Sequence, residues 1–333
     1  MLTLNEKVHE ALVDLVKQIE CLLFGDFDKV DGVRLEKITS ASGEYGLKDE
    51  SFYNIIINNM LISSDRLQEY YTWYKTFEAL LYAAYPEVSI FNHGSSLQRT
   101  MMQTSDLDIS FKSGNSEFTL DGDWPVLRIT ANDLIMDISH AGPNSASLST
   151  GNFFEKVYAH RPDVRILCIL MKKMCQKRGY YEVKNGFPGG IIVSTLILWA
   201  LQRLDKIPVF ERYNDNQGLF DEKNPRWNHY WLKNSTGICS VGEITDAKVS
   251  KEFGEILDLI IKTRFDVVFD CFSSVVRTND FRKSVVILRP PSNNQNCAYL
   301  LKRNTLTQRF IPFLEKCLKE WRENPRVFLN SIL

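Results

Sequence analysis

Residues 93–109 read HGSSLQRTMMQTSDLDI, a Gly-Ser turn at Gly94 and Ser95 followed by Ser105-Asp106-Leu107-Asp108 at the mouth of an apolar run. In a strand, residues i and i+2 point to the same face, so Asp106 and Asp108 present two carboxylates side by side. Two like charges that close call for a cation. Oxygen ligands of this kind suit magnesium, which keeps coordination positions open for substrate phosphates. A third acid follows in the apolar segment LIMDIS, at Asp137. Three such carboxylates are what a pair of Mg²⁺ (or Mn²⁺) ions requires. The Gly-Ser turn supplies the other half of the arrangement. Its backbone N–H groups can approach a phosphate closely, and Ser95 adds a hydroxyl.

Around this segment the pattern is strand-like in VSIFNHGSS, DLDISFK and PVLRITANDLIMDISHAG, each bounded by Gly, Asn, Asp or Pro. Helical periodicity flanks it on both sides. It runs through VHEALVDLVKQIECLLF and RLQEYYTWYKTFEALLYAAY before the strands, and through DVRILCILMKKMCQKRG, IIVSTLILWALQRL and VSKEFGEILDLIIKTRF after them. The polar, Gly-containing segment at residues 25–50 is expected to be loop-rich. The predicted class is therefore α+β: a small mixed sheet with helices over 76–150, a larger mostly helical lobe over 151–333, and amino-terminal helices over 1–75 packing on that lobe. A length of 333 residues fits such a division, with the cleft between the lobes as the expected site.

The composition is 44% hydrophobic and 24% charged, and no apolar run reaches the ~18 residues that cross a bilayer. No membrane role is expected. A net charge of −1 excludes a broad basic face, so nucleic acid must be held by a local patch or through a protein complex. Seven cysteines without a C-x-x-C pair fit neither a disulfide framework nor a zinc site. This predicts a reducing intracellular compartment, the mitochondrial matrix or the cytoplasm. The amino terminus, MLTLNEKVHEALVDLVKQI, reads as an acidic amphipathic helix with neither a basic n-region nor Arg-rich character. The cluster Trp227, His229, Tyr230 and Trp231 can stack bases, although such rings more often plug a loop.

Taken together, HGSSLQRTMMQTSDLDISF resembles the signature of the DNA polymerase β-like nucleotidyltransferases, in the form of the terminal uridylyltransferases and Trf-type poly(A) polymerases. The likeness continues in order over residues 85–305. PVLRITANDLIMDISHAG is similar to the strand pair carrying the third Asp, and the segments 253–280 and 284–301 to the poly(A)-polymerase-associated region. The resemblance implies a polymerase β-like domain packed on a helical poly(A)-polymerase-associated domain. Asp106, Asp108 and Asp137 are then the catalytic metal ligands, with UTP and an RNA 3′ end as substrates and pyrophosphate as product. It also implies a triphosphate-binding role for Lys172, whose second partner one turn on is here Gln176, beside Lys177. A ribose-contacting residue is implied at Ser149 by register, with Asn144 and Asn152 the nearest asparagines.

Two departures concern the base. The Tyr that stacks on the base in the family is replaced, depending on register, by Gly190, Ile191 or Ser194, with Phe187 the nearest ring. The acidic stretch that contributes to reading uracil is here the acid-free segment 289–294. A poly(A) polymerase using ATP is the second reading, since its helix often starts with a Gly-Gly like Gly189-Gly190. An inactive RNA-binding scaffold is the third. Clustered carboxylates repel one another unless a cation lies between them, which speaks against it.

Overall fold

The computed structural model describes residues 51–84, 86, 88–113, 127–131, 134–140, 146–207, 209–210, 244–280, 284–290 and 295–333. The amino-terminal helix, the Trp227–Trp231 cluster and Asn144 lie outside the described residues.

Helix α1 (Phe52–Met60) starts at Ser51, whose hydroxyl accepts a bond from the Asn54 N–H, and is followed by the long α2 (Ser64–Ala84). The sheet then forms from β1 (Val88–His93), the one-turn α3 (Gly94–Leu97), β2 (Leu107–Ser113), β3 (Leu127–Ala131) and β4 (Leu134–His140). Its spatial order is β1-β2-β4-β3, with β2 and β4 parallel and both outer pairs antiparallel. Leu107, Ile109 and Phe111 on β2 and Leu134, Met136 and Ile138 on β4 are buried on one face, with Tyr70, Phe77 and Leu81 of α2 in the same core. Strand periodicity sends the intervening residues to the other face. There Ser110 and Ser139 meet hydroxyl to hydroxyl at 2.9 Å.

The second core belongs to α1, α4 (Ala146–His160), α5 (Pro162–Lys177), α6 (Gly190–Arg203), α7 (Asp246–Thr263), α8 (Ile311–Glu323) and α9 (Pro325–Ile332). A two-stranded parallel ladder, β5 (Val268–Phe269) and β6 (Val286–Ile287), is attached to it. Packing changes partner between α1 and α2: Met60 is in the helical core and Tyr70 in the sheet core.

The sequence pattern predicts an amphipathic α5 with Lys172 on a polar side. Instead α5 is buried almost all round, from Ile166 without a break to Lys172, because α1, α4 and α6 all pack against it. Its amino end is anchored by charge. Arg161 donates twice to Asp163, at 2.8 and 2.7 Å, and Lys248 of α7 donates to the same carboxylate at 2.9 Å. Buried charges require such complete pairing. Among the described residues no helix is long and apolar enough to cross a membrane, and Cys168, Cys175, Cys271, Cys297 and Cys317 are free thiols.

Candidate active site

The parallel pairing of β2 with β4 sets Asp108 directly beside Asp137, and the antiparallel pairing on the other edges sets His93 beside Asp108 and Arg128 beside Asp137. Asp106 stands one residue before β2 begins. The three predicted carboxylates are therefore gathered on one face at one end of the sheet. Loops at strand ends are where such sheets commonly place their chemistry.

Gly94 is fixed in this arrangement twice over. Its φ of 63° lies in the left-handed region, and a Cβ there would overlap Asp108 Oδ2. Only glycine combines that conformation with so close an approach. The Gly94-Ser95 turn is thus packed against the central carboxylate. The turn is also tied to the helical lobe. Ser95 O accepts from Thr100 N at 2.9 Å, Thr100 Oγ1 accepts from Lys172 Nζ at 3.1 Å, and Arg165 of α5 donates to Arg99 O through both Nε and Nη2.

The electrostatics follow from this crowding. Burial, then the charges of Asp106 and Asp137, push the Asp108 carboxyl up to about 7, and burial raises Asp106 as well. Arg128 offsets part of the charge. It donates from Nε to Asp137 Oδ1 at 2.7 Å and from Nη2 to Asp137 Oδ2 at 2.6 Å and to Asp106 Oδ2 at 3.0 Å. Those bonds, the one to Asp137 first, hold its guanidinium still more firmly protonated than usual. Lys172 is only 2% exposed, and burial pulls its ammonium down to about 8. His93 is pushed to about 4 by burial and by the Arg289 charge, so it is neutral at pH 7.

Hard oxygen donors in adjacent register, with Asp108 left short of counter-charge, fit a divalent cation in type. Among the described residues no three His, Cys, Asp or Glu side chains are already closed as a metal cage. Arg128 engages two of the three acids instead.

The remaining expected residues are distributed unevenly. Gly190 lies beside Lys172, and Gln176 reaches the catalytic side, Thr104 Oγ1 lying 3.5 Å from its Oε1. Ile191 is partly buried in the first turn of α6. Ser105 is spent locally: its hydroxyl accepts from Met102 N at 2.9 Å and its carbonyl from the Tyr70 hydroxyl at 2.9 Å. Ser149 and Asn152 lie on α4, where Asn152 is exposed. Ser194 is buried under the Tyr158 hydroxyl at 3.0 Å, and Phe187 is a core ring against Tyr180 and Phe310. Neither supplies the missing stacking ring. Three residues were not anticipated: Arg128, Thr100 and, next to Gly190, Tyr181.

Among solved structures, an mtPAP mutant in complex with ATPγS matches with a TM-score of 0.67 at 11% identity, covering 92% of this chain and 77% of its own. A cytoplasmic RNA terminal U-transferase matches with a TM-score of 0.64 at 12% identity over 84% of this chain and 97% of its own. A Cid1 poly(U) polymerase mutant bound to MgATP gives 0.64 and 12% over 82% and 94%. No protein-family model and no curated protein matches the chain in sequence. These likenesses show a fold shared with poly(A) and poly(U) polymerases, a small mixed sheet joined to a larger helical lobe.

Proposed function

We propose that the chain is a template-independent RNA 3′-terminal nucleotidyltransferase that adds UMP from UTP and releases pyrophosphate. The observation that carries this is the side-by-side register of Asp108 and Asp137 on parallel strands, with Asp106 next to them and the Gly94-Ser95 turn tight against Asp108. Structural neighbours described as a terminal U-transferase and a poly(U) polymerase support the same reading.

Asp106, Asp108 and Asp137 would hold two Mg²⁺ (or Mn²⁺) ions, which when bound neutralise triphosphate charge and ease loss of the proton from an RNA 3′-hydroxyl. The protein's own groups do the positioning. Gly94 and Ser95 offer backbone donors to phosphate, and Lys172, linked to that turn through Thr100, adds a point charge beside them. Arg128 holds the carboxylates through a side chain that is 52% exposed, so it can swing aside when they take other partners. Phosphoryl transfer asks little acid–base chemistry of the protein, since orientation and charge supply most of the acceleration. With a net charge of −1, the RNA body is left to a local patch or a partner complex.

The preference for UTP rests on pocket size: a base pocket narrowed by the helical lobe would take a pyrimidine better than a purine. With no ring at Ile191 or Ser194 and Arg289-Pro290 where acids are otherwise found, few fixed groups read the base edge. Gly189-Gly190 and the mtPAP neighbour favour the second reading, poly(A) synthesis from ATP. The test is extension of a short RNA with each of the four nucleoside triphosphates separately, with Mg²⁺. UTP is expected to serve best, CTP next and ATP poorly. ATP as the best substrate would select the poly(A) reading, and no extension with any of the four would leave only the scaffold.

A further inference from the structure

Gly190 opens α6, and two polar groups share the space its missing side chain leaves. A Cβ there would come within 3.1 Å of the Tyr181 hydroxyl, 3.7 Å of Lys172 Cε and 3.8 Å of Lys172 Nζ. The phenol and the ammonium therefore converge on one point, although Lys172 belongs to α5 and Tyr181 to the loop that follows it. Among the described residues Lys172 Nζ bonds only Thr100, and the Tyr181 hydroxyl takes no hydrogen bond.

The loop holds Tyr181 firmly. The next residue, Glu182, has φ 77° and ψ 132°, a conformation rare for a side-chain-bearing residue, and its carbonyl accepts from Asn185 N at 3.0 Å and from Phe187 N at 3.2 Å. Such strain persists only where the surroundings dictate it, and it clusters at ligand clamps. Burial, followed by nearby charges that include Asp106 and Asp108, keeps the proton on the Tyr181 oxygen well above its usual range. Tyr181 is thus a donor at every working pH, within the electrostatic reach of Asp106 and Asp108.

We propose that the Tyr181 hydroxyl and the Lys172 ammonium form one polyphosphate-binding pair, Tyr181 donating a hydrogen bond to a terminal phosphate oxygen of the incoming nucleoside triphosphate. This rests on the nucleotidyltransferase reading above. A cation beside a neutral donor suits an anion with several oxygens, whereas a base carries no charge for Lys172 to meet. Gly190 is then the residue without a side chain that lets the two groups meet.

Tyr181→Phe removes one oxygen and keeps the ring, so folding is preserved and a melting curve confirms it. Calorimetry with UTP, ATP and UMP in Mg²⁺ reads the effect. The variant should bind triphosphates about tenfold more weakly, the usual loss for a hydrogen bond to a charged group, and bind UMP as the parent does. Gly190→Ala should act in the same direction, because it displaces the hydroxyl, and should add little to Tyr181→Phe. Unchanged triphosphate affinity, or an equal loss for UMP, overturns the pair. A parent protein that binds neither UTP nor ATP overturns the nucleotidyltransferase reading itself, which separates the two failures.

Discussion

The sheet carries its acids at an open end, where the Asp106 side chain is 41% exposed, whereas the helical lobe carries Lys172 sealed within α5 at 2% exposure. Each leaves a charge incompletely matched. In the sheet the mismatch is burial compounded by repulsion among the carboxylates, relieved in part by Arg128. In the helical lobe it is desolvation, relieved by a single hydroxyl, Thr100. Burial together with crowding raises the acid and burial alone lowers the base, so both lobes shift their groups toward neutrality. The natural complement to such a pair of lobes is a ligand bearing both signs, as a cation–triphosphate complex does.

The largest effect that tests this contrast comes from Asp108→Asn. Activity in the extension assay should fall on the order of a thousandfold, as when a fixed charge-stabilising group is removed. Its stability should move the other way in the absence of metal. The folded carboxyl keeps its proton up to about 7 while the unfolded one releases it near 3.8, so folding loses stability as pH rises through that window. Asn is spared that loss. The variant should melt above the parent at pH 8 in chelator, with the gap closing towards pH 4. Equal melting at pH 8 would mean that the acids are not in conflict.

Lys172→Met comes next. It should raise the Michaelis constant for the nucleotide roughly tenfold to a hundredfold by deleting a charged contact, with kcat less affected. In the parent the same constant should climb above pH 8, where the ammonium is lost, and the Met variant should show no such rise. A parent profile flat from pH 7 to 9.5 would remove Lys172 from the phosphates.

The smallest effect is expected at Tyr70→Phe. That hydroxyl donates to Ser105 O, just before Asp106, and accepts from Ile135 N at 3.2 Å, two residues before Asp137. Losing both bonds should cost about 1–3 kcal/mol of stability in a denaturant titration. Activity should fall only severalfold, which places Tyr70 as a support of the acidic end.

The acids were legible in the sequence because strand periodicity alone puts Asp106 and Asp108 on one face, and the apolar flanks of Asp137 mark its strand. Their register was not, since pairing across separated segments is not written in either one. For Arg128 a signal existed. Ala131 pairs with Leu134, and counting outward from that pair sets Arg128 against Asp137. Lys172 misled because the periodicity of α5 describes its own faces and not the helices packed around it. Tyr181 left no mark, since its place depends on the loop geometry at Glu182.

The Arg128 fork also bears on the order in which the protein comes into being. Small metal-dependent domains stay unfolded until their ion arrives, because nothing else offsets their ligands. Here the antiparallel ladder that sets β3 beside β4 delivers a guanidinium to Asp137 as part of the pairing itself. The carboxylates of β2 and β4 are far apart in sequence and meet only when those strands align, a slow, non-local step during which unshielded repulsion would work against the sheet. A built-in counter-ion uncouples that step from any supply of metal, so on the proposed function the ions would be loaded into an already finished fold.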